Sequence, residues 1–277
     1  FPDDLINFLS EIHSQNTKRN HKLIEEVKNL SYLLNFHRID HVFLKGSANI
    51  FSNVYENIGE RMIGDIDFLY ETKHEDLLIK TLKKEGYKFS NKKIFFGRHL
   101  ERTTSKDKLF AIEPHFNLFN KNNDLLNVNK ILRSKVKKNN VFVPSMEHLL
   151  KINILNYQIN DFGSKKLNFS LRNIYDSYSI IKKGNNNIKI GSNSKYFDNY
   201  FYVTKQTGIS LKINYQPKKN YFRHLRYTLK KKSRFYNFFD VKFITINIFF
   251  YALPSKLALL ITNKKYFCYV IKKLIGK

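Results

Sequence analysis

Two aspartates spaced two residues apart constrain the fold most strongly. Asp65 and Asp67 lie in the run GDIDFL at residues 64–69, where Ile66 and Phe68 alternate with them. Side chains alternate between the two faces of a β-strand, so the run predicts a strand with one acidic face and one apolar face. Two such close carboxylates repel each other unless a cation lies between them. Oxygen ligands of this kind suit Mg²⁺ or Mn²⁺.

A third acid, Glu113, lies in the run FAIEPHF at residues 110–116, which also indicates a strand. Three acids can hold two metal ions, which together favour an in-line phosphoryl displacement. Glu101 or Asp107 could supply the third acid instead, but Glu113 is preferred for its apolar, strand-like neighbours. On spacing alone, the alternative is an exposed strand whose acids are solvated or paired with Arg61 and Lys45.

His115 follows Glu113 by two residues and is expected on the same strand face. It could orient the acid or contact substrate, but a structural hydrogen-bond partner is the favoured interpretation. A zinc site is not indicated, because the nine histidines form no H-E-x-x-H motif and Cys268 is the single cysteine. One cysteine also excludes an internal disulfide. A reducing, cytoplasmic location is therefore expected, and the acidic start of the chain shows no signal peptide.

A turn upstream of the acids strengthens the metal interpretation. Residues 41–44 (HVFL) indicate a strand, and Lys45, Gly46 and Ser47 follow it directly before a predicted helix. A glycine, a hydroxyl and the N–H groups of a starting helix can hold an anion, and Lys45 adds a positive charge. The turn is not a Walker A motif, because G-x-x-x-x-G-K-[ST] is absent. A phosphate-binding turn is therefore predicted to precede the acid pair.

These motifs together resemble a known family, the uncharacterised nucleotidyltransferases of the DNA polymerase β-like superfamily. The residues that carry the resemblance are FLKG at 43–46, Tyr55, RMIGDIDFL at 61–69 and IEPHF at 112–116. Residues 143–149 and 171–176 resemble the helical C-terminal half of that family. The similarity covers roughly residues 20–185.

The resemblance implies an α+β fold: a polymerase β-like nucleotidyltransferase core, with a small mixed sheet flanked by helices, followed by a helical C-terminal domain. Asp65, Asp67 and Glu113 would be the catalytic acids and would hold two Mg²⁺ (or Mn²⁺) ions, with an NTP as substrate. The residues expected to bind the nucleotide are Lys45, Gly46, Ser47, Arg61 and Gly64. Asp176 would either face the nucleotide or form an ordinary ion pair with Arg172, four residues away.

Charge divides the chain unevenly. It carries 49 Lys and Arg residues against 23 Asp and Glu residues, which gives a net charge of +26. Residues 205–277 contain seventeen of the basic residues and a single acidic residue, Asp240. We predict a core with N-terminal helices over residues 1–140 and a helical domain over 141–277 that ends in this basic, aromatic-rich segment. Such a segment suits nucleic acid, suits an anionic membrane surface, or is simply a solvated helix face.

The sequence therefore predicts a Mg²⁺-dependent nucleotidyltransferase that moves an NMP from an NTP to an acceptor hydroxyl and releases pyrophosphate. The acceptor could be an RNA end such as that of tRNA, a protein side chain, or a small molecule or sugar, and the basic segment favours RNA. The alternative is a non-catalytic protein that retains the fold and binds nucleic acid or a membrane surface.

Further Phe- and Ile-rich runs at 87–89, 93–101 and 109–119 predict additional strands.

Overall fold

The computed structural model describes residues 2–89, 97–120, 125–185, 188–191, 194–262, 267–268 and 270–271. The strands are β1 (His41–Phe43), β2 (Asp65–Tyr70), β3 (Ala111–His115), β4 (Val136–Lys138) and β5 (Val141–Val143). The helices are α1 (Asp3–Phe36), α2 (Lys45–Phe51), α3 (Glu75–Lys84), α4 (Val128–Arg133), α5 (Met146–Leu155), α6 (Gly163–Lys166), α7 (Leu171–Lys183), α8 (Lys195–Gln206), α9 (Tyr221–Lys232) and α10 (Arg234–Thr262). The described strands thus end at Val143, and the described elements after it are helices.

β2 is the central strand of a three-stranded mixed sheet. It pairs antiparallel with β1 and parallel with β3. In the parallel register Asp67 lies beside Glu113, and Asp65 lies beside Ala111. Neighbouring residues in register point to the same face of a sheet, so the alternation of β2 and the pairing with β3 place all three acids on one face. The predicted α+β fold with a small mixed sheet is confirmed.

One apolar core joins the sheet to the helices. It contains Ile66 and Phe68 from the apolar positions of β2, Leu23 from α1 and Leu150 from α5, all fully buried. Burying each such side chain contributes roughly 1.5–3 kcal/mol. The acidic face of β2 is therefore held by a strand whose opposite face is anchored in the core.

The hairpin of β4 and β5 spans the predicted domain boundary at residue 140. Asn139 and Asn140 form its turn, with φ of 48° and 64°. A two-residue hairpin turn of type I′ needs positive φ at both positions, which asparagine tolerates best after glycine. Val141 and Val143 of β5 belong to the same core as the sheet. The division of the chain into two domains at this turn stays a prediction.

Two of the additional predicted strands are wrong over the described residues. Residues 87–89 carry no strand, because Gly86 turns the chain with φ of 80° after α3 and Lys88 then pairs irregularly with a loop, donating to the carbonyl of Thr104. Within the predicted strand at 93–101, residues 97–101 contribute a single bridge from His99, and residues 90–96 lie outside the described part of the chain. The strand predicted at 109–119 is confirmed in a shorter form, as β3.

The apolar run at residues 243–261 lies within α10. Pro254 is inside this helix, and Ile244 is one of its buried residues. Over the part of the chain that the structure describes, no helix combines the length and the apolar character needed to cross a membrane.

Two glycines near the sheet provide a test of this packing. A Cβ added to Gly46 would lie 2.8 Å from Cγ1 of the buried Ile63, whereas a Cβ on Gly64 would meet no atom within 4 Å. We expect Gly46→Ala to lower the free energy of unfolding by about 1–3 kcal/mol through overpacking, and Gly64→Ala to leave it nearly unchanged. Urea denaturation of both variants measures the difference; equal midpoints would contradict the close approach of α2 to Ile63.

Candidate active site

Four ionisable side chains gather on the acidic face of the sheet. Asp67, Glu113 and His115 each offer a ligand atom, and these atoms lie within 4.8 Å of one another. Asp67 and His115 are buried, Glu113 is mostly buried, and Asp65 is one-third exposed at the solvent side of the group. The strand alternation of β2 brings Asp65 and Asp67 together, and the parallel register with β3 adds the other two.

His115 is hydrogen-bonded to the central acid. Its Nε2 atom lies 2.8 Å from Oδ1 of Asp67 and 3.6 Å from Oε2 of Glu113. An ionised carboxylate can only accept hydrogen bonds, so Nε2 carries the hydrogen atom and donates the hydrogen bond to Asp67. The His99 ring packs edge-on against the His115 ring, with centroids 5.1 Å apart. His115 therefore orients the Asp67 carboxylate from inside the protein.

Lys45 supplies a positive charge to the same acids. Its ammonium donates a hydrogen bond to Oδ1 of Asp67 and lies 3.9 Å from Oε2 of Glu113. The backbone of Lys45 is left-handed, with φ of 50°, which costs a non-glycine residue about 1 kcal/mol. Strained backbone of this kind clusters at functional sites. This left-handed residue lies at the junction of β1 and α2, directly beside the acidic face.

The three carboxylates differ in how well they are neutralised. Burial raises the pKa of Asp65, and the charges of Asp67 and Glu113 raise it further. Burial also acts to raise the pKa of Asp67, but the hydrogen bond from His115 and the charge of Lys45 outweigh it and lower that pKa below its usual range. Contact with His115 lowers the pKa of Glu113. Asp65 thus carries the uncompensated repulsion of the group.

The donor set fits a hard divalent cation. Carboxylate oxygens are the ligands that Mg²⁺ and Mn²⁺ prefer, and three of them share this face. The raised pKa of Asp65 comes first from burial and then from the negative charges of Asp67 and Glu113, which a bound cation would neutralise. Arg102, whose Nε lies 3.6 Å from Oδ2 of Asp65, relieves it in part from the exposed side. Asp67, Glu113 and His115 therefore have ligand atoms close enough to share a metal, and Asp65 lies on the same face of the sheet.

A second buried cluster lies next to the acids. Nε of Arg61 lies 3.2 Å from Oδ1 of Asp176, and the hydroxyl of Tyr55 donates to the same oxygen at 2.8 Å. Asn49 in turn donates to the Tyr55 hydroxyl at 3.0 Å. Burial raises the pKa of Asp176, and the charge of Arg61 opposes that rise. The predicted ion pair of Asp176 with Arg172 is replaced by a pair with Arg61, because Asp176 lies on the face of α7 that contacts Tyr55 and Arg61.

Asn49, Arg61 and Asp176 of the second cluster line a cavity of about 80 Å³, which Lys45 borders from the side of the acids. It has room for a small number of water molecules. Residues from both halves of the chain line it, among them Lys45, Gly46, Asn49, Arg61, Asn153, Arg172, Asn173 and Asp176. Basic and amide side chains thus converge where the turn after β1 meets α5 and α7.

The remaining predicted nucleotide residues lie close by. Ser47 is buried one residue beyond Gly46, and its Oγ atom has no hydrogen-bond partner among the described residues. Gly64 is exposed and directly precedes Asp65. The structure therefore brings Lys45 to the three acids and His115, and gathers Gly46, Arg61 and Asp176 around the adjacent cavity.

Sequence reasoning missed the asparagines of this cavity. Asn153 and Asn173 exchange hydrogen bonds between α5 and α7, with Nδ2 of Asn173 donating to Oδ1 of Asn153 at 2.9 Å. Asn153 lies between Ile152 and Ile154 of α5, and an amide among apolar residues is a signal for a buried polar contact. Arg102 was also missed, since nothing in its neighbourhood in the sequence relates it to Asp65.

Comparison with known proteins assigns the family. The model of a family described as uncharacterised nucleotidyltransferase matches residues 1–192, more than half of the chain, so the protein belongs to this family. The fold is similar to the crystal structure of an antigenic nucleotidyltransferase-like protein from Paracoccidioides brasiliensis, with 14% sequence identity, a TM-score of 0.43, and coverage of 68% of this chain and 89% of that chain. A search of curated proteins gives no significant match.

The unequal neutralisation of the acids predicts opposite effects of two isosteric changes. Asp65→Asn removes a repelled charge and is expected to raise the thermal midpoint, whereas Asp67→Asn breaks the contacts with Lys45 and His115 and is expected to cost about 1–3 kcal/mol. Ionised Asp65 destabilises the fold above its raised pKa, so the gain from Asp65→Asn should vanish below the ordinary aspartate pKa of about 3.9. Calorimetry across pH measures both effects; a stabilising Asp67→Asn would contradict the assignment.

Proposed function

We propose that this protein is a Mg²⁺-dependent nucleotidyltransferase that transfers an NMP from an NTP to an acceptor hydroxyl and releases pyrophosphate. The observation that carries the proposal is the placement of Asp65, Asp67 and Glu113 on one sheet face, with Asp65 left in a negative potential. A buried group of acids that costs stability is characteristic of a site kept for function. The family of the chain supports the same class of reaction.

Asp65, Asp67 and Glu113 would hold two Mg²⁺ or Mn²⁺ ions. Bound there, the ions would supply charge neutralisation and activation of the acceptor oxygen for an in-line phosphoryl displacement. The lowered pKa values of Asp67 and Glu113 keep both carboxylates ionised at neutral pH, as ligands must be. His115 fixes the orientation of Asp67 from the protein side, leaving the other carboxylate oxygen, Oδ2, to the metal face.

The triphosphate would lie along the turn after β1. Lys45 can turn its ammonium from the acids to a phosphate oxygen, and Gly46 and Gly64 present backbone without a side chain in the way. The unpartnered hydroxyl of Ser47 and the guanidinium of Arg61 complete the proposed nucleotide site. Arg61 is held by Asp176 and Tyr55, so its geometry is set before substrate binds. NTPs are cytoplasmic metabolites, and we propose that the reaction takes place there.

The acceptor is proposed to be an RNA end, such as that of tRNA, or a protein side chain. The net positive charge of residues 205–277 supports a polyanion. This support is weakened because Arg226 and Lys230 of that segment are both engaged by Asp240. A small molecule or sugar is the remaining acceptor class, and the experiment below separates all three.

A non-catalytic role is the second candidate, and one contact favours it. The ammonium of Lys45 lies against Asp67 and near Glu113, where a cation is expected, so the group is already partly neutralised without metal. In that case the acids would serve the fold alone. The binding of Mg²⁺ and nucleotide separates the two functions.

The transfer reaction is tested by labelling. The full chain is incubated with Mg²⁺ and each α-³²P-labelled NTP, with and without total RNA or cell lysate. We expect label in an RNA or protein band, and a decrease of at least about a hundredfold for Asp67→Asn or Glu113→Gln. Digestion of the product with ribonuclease or protease identifies the acceptor class, and label confined to small molecules indicates the third class.

Asp107→Asn is the matched control for these changes. Asp107 is an exposed acid in the turn before β3, and its removal should leave the transfer rate unchanged. All variants are assayed below the melting temperature of Asp67→Asn. If Glu113→Gln were fully active and Asp107→Asn inactive, the third catalytic acid would be Asp107 and not Glu113, and the proposed site would be wrong.

Nucleotide binding is tested apart from transfer. A ligand at 100 times its Kd stabilises the native protein by about 2.7 kcal/mol, so MgATP or MgGTP should raise the thermal midpoint of the natural chain. We expect EDTA to abolish the shift, and Asp65→Asn to reduce it strongly despite its higher intrinsic stability. No shift with any NTP in the presence of Mg²⁺ would favour the non-catalytic role.

A further inference from the structure

Two basic side chains of α9, Arg226 and Lys230, point inward to Asp240 of α10. Nε and Nη2 of Arg226 donate to the two carboxylate oxygens of Asp240 at 2.8 and 2.9 Å, and Nζ of Lys230 donates to Asp240 at 3.0 Å. Arg226 and Lys230 also cap the carbonyls of Lys165 and Lys166, each at 2.6 Å. The ion pairs of these two helices therefore lie between the helices and α6, where they dock the segment onto the protein.

The apolar side chains of the same helices face solvent. All six phenylalanines of α10 are between 53% and 74% exposed, and they are Phe235, Phe238, Phe239, Phe243, Phe249 and Phe250. On α9, Tyr221, Phe222, Leu225 and Leu229 are exposed as well. A surface helix of a globular protein normally buries its apolar stripe and exposes its charges. Here the arrangement is reversed.

The exposed phenylalanines form one stripe. At about 100° per residue, they and Ile246 fall within a sector about 140° wide, and Asp240 and the buried Ile244 fall outside it on the other side of the helix. The stripe is thus the outer face of α10, and Asp240 and Ile244 mark its inner face. Contiguous apolar surface of this kind marks a site of interaction with a protein or a membrane.

Basic side chains border the stripe. The ammonium of Lys242 lies within the sector, 5.5 Å from the centre of the Phe238 ring. Lys231 and Lys232 at the end of α9 and Arg234 at the start of α10 are exposed. Long basic side chains can extend from an apolar surface to place their charge in water or at lipid headgroups. Apolar and cationic groups therefore share this surface, with acidic residues absent from its described part.

We propose that α9 and α10 bind the surface of an anionic lipid bilayer. The phenylalanine stripe would enter the boundary between headgroups and acyl chains, and the bordering Lys and Arg residues would contact acidic headgroups. The helices would lie in the plane of the surface, since no described helix is suited to crossing a membrane. The nucleotidyltransferase core would then work beside a membrane.

Charge favours a bilayer over a second copy of the chain. A twofold dimer through this face would bring the exposed basic residues of both copies to one interface with no acidic residue on its described surface to pair them, and like charges across an interface are unfavourable. An anionic bilayer complements them instead. Single-stranded nucleic acid can stack on exposed rings, but it also needs cations that follow its phosphates, and Lys242 is the cation that lies among the rings of the described stripe.

Vesicle sedimentation tests the proposal on the full chain. The protein is mixed with vesicles of phosphatidylcholine containing 30% phosphatidylglycerol, and with vesicles of phosphatidylcholine alone. We expect sedimentation with the anionic vesicles, weakened by added salt and by omission of phosphatidylglycerol. Failure to sediment with anionic vesicles would overturn the proposal. No nucleotide or metal is present, so this result is independent of the proposed transfer activity.

Substitution of the stripe provides the specific test. Phe238→Ser, Phe239→Ser and Phe243→Ser together remove exposed rings only, and should weaken binding to anionic vesicles by at least about tenfold. The matched control is Phe8→Ser with Leu9→Ser, which removes exposed apolar side chains from α1 and should leave binding unchanged. If both variants lost vesicle binding equally, the binding would be due to nonspecific hydrophobic contact, and the assignment to α10 would be wrong.

A tryptophan reporter distinguishes insertion from other contacts. The chain contains no Trp, so Phe243→Trp introduces a single fluorophore on the stripe. Anionic vesicles should shift its emission to shorter wavelength, and lipids brominated on the acyl chain should quench it. A shift produced by RNA and not by vesicles would identify a nucleic acid surface. A shift that depends on protein concentration without lipid would identify a dimer, and either result would overturn the proposal.

Discussion

The crowding of three carboxylates on one face of a small sheet is the constraint on which the site depends. The parallel pairing of β2 with β3 fixes the position of the third acid, because its register places Glu113 beside Asp67. The protein compensates with a buried histidine and with Lys45, whose left-handed backbone is itself strained. Asp65 is left without full compensation. Strain and repulsion at one place support the proposed catalytic role of this group.

The second half of the chain is joined to this site through a buried charge pair. Asp176 on α7 is held by Arg61 and Tyr55 from the core half. Such a pair adds little net stability, because desolvation offsets the attraction, but removing one partner leaves an uncompensated buried charge. Its effect is to fix the position of α7 relative to the residues before β2. The cavity lined by Lys45 and Arg61 owes its shape to this junction.

The basic C-terminal segment has a different organisation from the one that its composition suggests. Its positive charge favoured nucleic acid, but Arg226 and Lys230 are directed inward to Asp240 and to the carbonyls of α6. Six phenylalanines take the outer position on α10. Asp240 thus pairs with two of these cations on the inner side of α10, and the phenylalanines lie on the exposed side of the same helix.

Local geometry made much of the site predictable from sequence. The alternation of acids and apolar residues over 64–69 determined the two faces of β2, because side-chain alternation is intrinsic to a strand. Pairings between distant segments were decided only by the tertiary structure. Glu113 joins Asp67 through strand register, whereas Asp107 stays exposed, and Asp176 pairs with Arg61 rather than with Arg172 one helical turn away. These contacts depend on how separate elements pack, and no local pattern encodes that packing.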